Sequence, residues 1–341
     1  MKLEDFDFFL PRELIAQYPA EKRGGSKLLV LDRKSGEIKH RIFSDIVNYF
    51  SNGDVLCINN TRVIPARLFG KKEKTKGKIE IFLLRKIEDT IWEALIRPAR
   101  RVKPGGCIIF KKGVGCRIKE KNGNGKWKVE FFPDGITEHE IFSLGDMPIP
   151  PYIKRNSEQI DRYRYQTVYA EREGSVASPT AGLHFTEKIL SDIEEKGVKI
   201  VKILLHIGIG TFRPVKVEDI RQHKMESEYY EINHDTAKII NSARKEGGSI
   251  FVVGTSSTRA LESVCYDTRL KDGRGWTDKF IYPPYNFQLV DHLITNFHLP
   301  KTTLLMLVSA FASKDMILGA YEEAKCKGYS FFSYGDAMLI L

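Results

Sequence analysis

Apolar and polar positions alternate with different periods along the 341-residue chain, and the period changes twice. At the start, LPRELIAQYP reads as a short helical strap. SKLLVLDR and EIKHRIF flank a KSG turn and predict a hairpin. Ser44 is placed to cap a short helix, SDIVNYF, and DVLCINN is apolar enough for a buried strand. From Thr61 the period becomes two. RVIPARLFG, KIEIFLLRK, TIWEALIRP, GCIIFKK, GCRIKEK and KWKVEFF are short strands broken by turns such as KKEKTKG, ARRVKPG and NGNG. Their spacing of about ten residues predicts a small antiparallel β-barrel of about six strands, assigned to residues 62–152. Beyond a Pro-rich exit, GDMPIPPYI, strands such as VKIVKILLHIG and SIFVVG alternate with amphipathic helices. EKILSDIEEK is capped by Thr186 and closed by Gly197; HDTAKIINSARKEG is capped by Asn233 and stopped at Gly247. This predicts an α/β main domain, formed by 1–61 and 153–341, with a mostly parallel or mixed sheet and helices on both faces. The barrel is an insertion into it.

Composition narrows the class. Hydrophobic content of 42% and charged content of 29% describe an ordinary globular protein. The longest apolar run, LLMLVSAFA, is about half of the roughly 20 residues a membrane span needs, and MKLEDFDFFLP is acidic where a signal peptide is basic. A cytoplasmic protein without a membrane span is expected. The five cysteines are scattered and form no CxxC, which argues for a reducing compartment and against a zinc site. Charge is segregated: residues 62–155 hold 22 Lys and Arg against 11 Asp and Glu, a net of +11, leaving −1 for the rest of a chain whose net is +10. Thermophile-like surfaces carry many charges of both signs but not this one-sidedness, so a polyanion such as RNA is the expected partner. Lys71, Lys72, Lys74, Lys76 and Lys78 crowd one turn, and Arg97, Arg100, Arg101 and Lys103 another.

Four polar segments carry the candidate chemistry. In SPTAGLHFT, a loop containing Ser178, Pro179, Thr180, Gly182 and Phe185 ends on a helix N-terminus, which favours anions. Its His184 is either a satisfied structural residue or the group that moves a proton. LLHIGIGTFRPV offers Gly208 and Gly210 for close backbone approach, with Thr211, Phe212 for stacking and Arg213 for a carboxylate or phosphate. It is not a dinucleotide fingerprint, because no helix follows at once. GTSSTRALES sets Thr255, Ser256, Ser257 and Thr258 ahead of Arg259, as an anion cradle or as plain helix capping. TNFHLPKTT supplies Asn296, Phe297 and His298. His206 and His298 stand behind His184 as proton carriers, and each Phe could stack a base or fill core.

These segments, with NNTRVIPARL and FFSYGDAML, occur in an order that closely resembles the S-adenosylmethionine:tRNA ribosyltransferase-isomerase family of queuosine biosynthesis (QueA), over nearly the full length. The resemblance implies transfer and isomerisation of the ribosyl group of S-adenosylmethionine onto 7-aminomethyl-7-deazaguanine at the wobble position of tRNA. Epoxyqueuosine is formed, and adenine and methionine are released. It implies GUN-anticodon tRNA as partner, S-adenosylmethionine as donor substrate, no prosthetic group and a monomer. Departures from the family pattern are Ser178 and Ile209 for Ala, Lys76 for Gly, and Glu226 for His. The rival readings are a non-catalytic RNA-binding protein and a conventional methyltransferase, which adenine release would separate.

Overall fold

The computed structural model describes every residue except Lys112, Asn124, Arg213 and Pro214, with Thr211 and Phe212 described as backbone only. Its larger part is built on a nine-stranded mixed sheet. From one edge to the other the strands are Gly273–Thr277, Glu228–Ile232, Lys199–Leu205, Val55–Asn59, Ile250–Val253, His292–Asn296, Ala337–Ile340, Lys27–Leu31 and Ile38–Ile42. The four strands from Lys199–Leu205 to His292–Asn296 run parallel, and antiparallel pairs flank them. Central strands that are buried on both faces explain the continuous apolar runs VLCIN and IFVV.

Alternate residues of each strand face opposite cores. Leu29, Val55, Cys57, Val201 and Val252 pack under helices His234–Lys245, Thr255–Ser263, Thr303–Ala312 and Lys314–Cys326. Leu28, Leu56, Ile58, Phe251 and Ile294 meet Phe43, Phe50 and helix Glu187–Glu195 on the other face. The run LLMLVSAFA is the buried helix Thr303–Ala312. Among the described residues no single helix is long and apolar enough to cross a membrane.

The six period-two segments form the strands Arg67–Lys72, Lys78–Lys86, Ile91–Arg97, Cys107–Ile109, Gly115–Lys121 and Trp127–Phe132. Pairing of Arg67–Lys72 with Cys107–Ile109 closes them into a barrel, and Gly145–Asp146 adds a short edge. Ile79, Ile81 and Leu83 point inward while Lys78 and Glu80 point out, as the alternation requires. The segment RVIPARLFG is not one strand. Pro65 lies between Thr61–Val63, which pairs with Arg172–Ser175, and the barrel strand from Arg67. Two local expectations also change. Ser44 does not cap its helix: a 3₁₀ segment starts at Phe43, where Asp45 accepts from the Ile42 N–H. The strap LPRELIAQYP is helical only over Arg12–Leu14.

Candidate functional site

The parallel strands end together at Asn59, Leu205, Val253 and Asn296, the side of an α/β sheet where ligands bind. At that end three separated segments converge on one cavity: Ser178–Ala181, Gly254–Ser257 and Thr295–Leu299. Each arrives for a local reason. Gly254 takes φ +90°, which turns strand Ile250–Val253 directly into helix Thr255–Ser263. No side chain caps that helix, so its first-turn N–H groups lack partners from the helix itself. The Ser178 hydroxyl, 4% exposed, has no hydrogen-bond partner and lines the same space. An orphaned buried hydroxyl beside a helix N-terminus is suited to a carboxylate. The free volume is about 60 Å³, room for a few waters or one polar end of a ligand.

Ile207 belongs to the wall of this cavity and to that of a much larger cleft of about 970 Å³. The cleft lies between the barrel, through Arg85, Trp92 and Lys126, and the sheet, through His206, Tyr229 and Trp276. Here Arg85 pairs with Glu93 at 3.3 Å, Lys126 with Glu93 at 3.3 Å, and Lys86 with Glu138 at 2.7 Å. The Gly208 N–H donates to Glu228 at 2.9 Å.

A family model described as queuosine biosynthesis protein matches residues 3–340. The chain belongs to that family. A crystal structure of S-adenosylmethionine tRNA ribosyltransferase from Thermotoga maritima is 37% identical to it, covers 99% of this chain and 100% of that one, and superposes with a TM-score of 0.57. The mixed sheet with an inserted barrel is the fold of this family.

Of the residues singled out in this family member's sequence, Ser178, Pro179, Thr180, Thr255, Ser256, Ser257, Asn296, Phe297 and His298 reach the cavity. Gly208 reaches the cleft, and Gly210 packs close to Glu226 there. Thr211 and Phe212 lie in a 3₁₀ turn, Ile209–Phe212, and Arg213 is outside the described residues.

His184, expected as the proton carrier, does not line this cavity but a smaller pocket with Arg23, Ser26 and Tyr334. It is 6% exposed, behind the cavity wall, with both ring nitrogens engaged. Ser26 Oγ lies 2.7 Å from Nδ1, and Asn296 Nδ2 donates to Nε2 at 3.0 Å; Thr180 in turn donates to Asn296 Oδ1 at 2.9 Å. Burial, with Arg23 nearby, pushes its pKa down to about 3, so the ring is neutral at pH 7. Burial does the same to His298, also to about 3, but His298 lines the cavity, with Nε2 2.8 Å from Thr295 Oγ1. His206 is pushed down to about 4 by burial and by Arg172, and it faces the cleft.

Several further residues point into the protein. Arg259, 4% exposed, pairs with Glu228 at 2.7 Å and donates to the Lys279 carbonyl at 2.8 Å, while its buried Nη2 has no hydrogen-bond partner among the described residues. Phe185 is fully buried, edge-on to Phe43. Gly182 lacks a Cβ because Tyr169 Oη occupies that position. The Thr258 hydroxyl donates to the Gly254 carbonyl and that of Ser257 to Val253, which leaves Thr255 and Ser256 as the cradle. Phe297 reaches the wall, yet its ring is wholly buried among Tyr321, Tyr329 and Phe331. Sequence reasoning passed over Tyr152 and Ser333, which bond each other in the cavity wall, and Trp276. Ser333 falls within FFSYGDAML, whose polar positions were the available signal.

Proposed function

We propose that this protein transfers and isomerises the ribosyl group of S-adenosylmethionine onto 7-aminomethyl-7-deazaguanine at the wobble position of tRNA, giving epoxyqueuosine and releasing adenine and methionine. The observation that carries the reading is the convergence of three loops on a small polar cavity that shares Ile207 with a large cleft facing the barrel. The cavity takes one end of the donor: the first turn at Thr255 and Ser256, with the Ser178 hydroxyl, holds the methionine carboxylate. The nucleoside part extends toward the cleft, where the RNA base arrives. A sulfonium acidifies its neighbouring carbon and makes methionine a leaving group, so the protein supplies orientation and proton acceptance. His298 is the neutral imidazole within reach. His184 fixes Asn296, and through it Thr180, from behind. Arg213, which lies next to the cleft-lining turn in sequence, is assigned to the donor's carboxylate or to a phosphate. No prosthetic group takes part.

The substrates are tRNAs of the GUN anticodon type, met in the cytoplasm by a monomer whose residues 62–152 form one inserted domain between 1–61 and 153–341. Outward lysines and arginines of that insertion, Lys71, Lys72, Lys74, Arg97, Arg100, Arg101 and Lys103, attract the phosphates. Incubation with S-adenosylmethionine and tRNA carrying the aminomethyl-deazaguanine should release adenine and methionine in equal amounts. A non-catalytic RNA binder would hold tRNA and release neither, and a methyltransferase would leave S-adenosylhomocysteine. Either result would overturn the reading.

A further inference from the structure

We infer that the rings of His206, Tyr229 and Trp276 form a stacking platform for unpaired RNA bases, and that Arg85 of the barrel caps it; this rests on the tRNA reading above. The three rings follow one another along the cleft. His206 and Tyr229 are stacked, with centroids 6.1 Å apart and planes at 25°, and Tyr229 meets Trp276 edge-on at 5.5 Å. The Arg85 guanidinium lies 5.3 Å from the Trp276 ring, reaching across from the opposite wall. His206 is fixed in this series: Thr61 Oγ1 lies 2.8 Å from its Nδ1, and Gly174 leaves room behind it where a Cβ would come within 2.6 Å of Nε2.

Trp276 is the member that needs an explanation. It is 54% exposed on an edge strand, whereas Trp92 and Trp127 are 2% and 4% exposed inside the barrel. An exposed indole with a guanidinium near its face is an arrangement that accepts a nucleobase, through stacking and cation–π attraction. Charge selects bases over phosphates here. Among the described residues the cleft is lined by five glutamates against four Lys and Arg, so that lining adds little net attraction for a polyanion, while the unpaired cations stand at the far end of the barrel. A neutral or cationic base therefore enters, and its phosphates remain outside.

The test uses the full-length protein and an anticodon stem-loop RNA. Trp276→Ala should weaken RNA binding about tenfold or more, the scale of one lost base stack, and leave S-adenosylmethionine binding unchanged. Trp276→Phe should recover most of the affinity. RNA should quench the wild-type tryptophan fluorescence, and Trp276→Phe should abolish that quench. If Trp276→Ala loses thermal stability but keeps its RNA affinity, the ring merely staples barrel to sheet and the platform is refuted. Unchanged affinity with unchanged stability refutes it equally. Adenine release by the wild type is scored separately: its absence with the quench intact would overturn the reaction and leave the platform standing.

Discussion

The two ends of one barrel hairpin use charge in opposite ways. Strands Lys78–Lys86 and Ile91–Arg97 pair so that Glu80 faces Arg97 at one end and Lys86 faces Trp92 at the other. At the Lys86 end, beside the cleft, Arg85, Lys86 and Lys126 each have a carboxylate partner. At the other end, roughly 25 Å along the strand, the turn from Glu73 to Gly77 meets the turn carrying Arg97, Arg100, Arg101 and Lys103. Eight of its nine cations are exposed, with Lys72 half-buried, and among the described residues none pairs with a carboxylate. Paired charges near the chemistry fix geometry, and their removal should be felt in stability and turnover. Unpaired charges far from it act at a distance, and their removal should be felt in salt dependence alone.

The sharpest way to break that contrast is to remove a paired charge on the sheet side of the cleft, where Arg259 of helix Thr255–Ser263 pairs with the cleft-lining Glu228. Arg259→Met removes the guanidinium from the buried pair with Glu228, and breaking a buried pair from one side costs about 3–5 kcal/mol. Urea denaturation should show a loss of that size. A loss below about 0.5 kcal/mol would mean that the inner charges are no more structural than the outer ones.

His184 comes next. His184→Ala strips partners from Asn296 and Ser26, so a loss of roughly 2 kcal/mol is expected, together with about a hundred-fold fall in turnover from a misplaced Asn296. Turnover that falls without any loss of stability would instead restore a direct proton-transfer role. The pH dependence supplies a second check. Folded His184 and His298 take up a proton only near pH 3, whereas the unfolded rings do so near 6.5. Below pH 6.5 the unfolded chain therefore binds more protons, and stability falls with pH by up to about 1.4 kcal/mol per unit for each ring. The fall ends near pH 3. Thermal melts from pH 7 to 4 should show this decline, and His184→Ala should make it shallower.

At the outer end, Lys71, Lys72 and Lys74 changed together to Gln should leave stability within about 0.5 kcal/mol and S-adenosylmethionine binding unaltered. The slope of log affinity for tRNA against log salt should flatten by about 2 units, at roughly 0.7–0.9 per lost phosphate contact. An unchanged slope would give the barrel's lysines no part in RNA binding.

This division was only partly legible in the sequence. The barrel strands and the exposure of their basic turns could be read because both depend on local alternation and on turns that push side chains outward. Thr186 and Asn233 act as helix caps because capping is local too. TSS and TNFH lie at the ends of strands Ile250–Val253 and His292–Asn296, where α/β sheets place ligands, whereas SPTAG follows the short strand Arg172–Ser175 outside the main sheet. What the sequence hid was burial. A histidine in a polar loop reads as available until Asn296, 112 residues away, is found on its ring, and an arginine reads as a substrate clamp until Glu228 claims it. Trp276 sits in RGWTDK with no periodicity to mark it, and its significance depends on Arg85 from the barrel.

The smallest effect separates the two uses of charge at a single residue. Lys76 has φ +56°, in the left-handed region that a Cβ disfavours, and its N–H closes the turn onto the Lys72 carbonyl at 3.0 Å. Gly adopts this conformation free of strain. Lys76→Gly relieves about 1–2 kcal/mol of backbone strain and returns about 0.4–1 kcal/mol through a more flexible unfolded chain. A net gain of about 0.5 kcal/mol is expected. If Lys76 is there for its charge, that gain should come with a flattening of the tRNA salt slope by about 0.7–0.9. Urea denaturation and a salt titration on the same variant decide it. A gain in stability without a change in slope would leave the strain at Lys76 unexplained by RNA binding. A change in slope with no gain in stability would show that the surrounding hairpin already absorbs the left-handed turn.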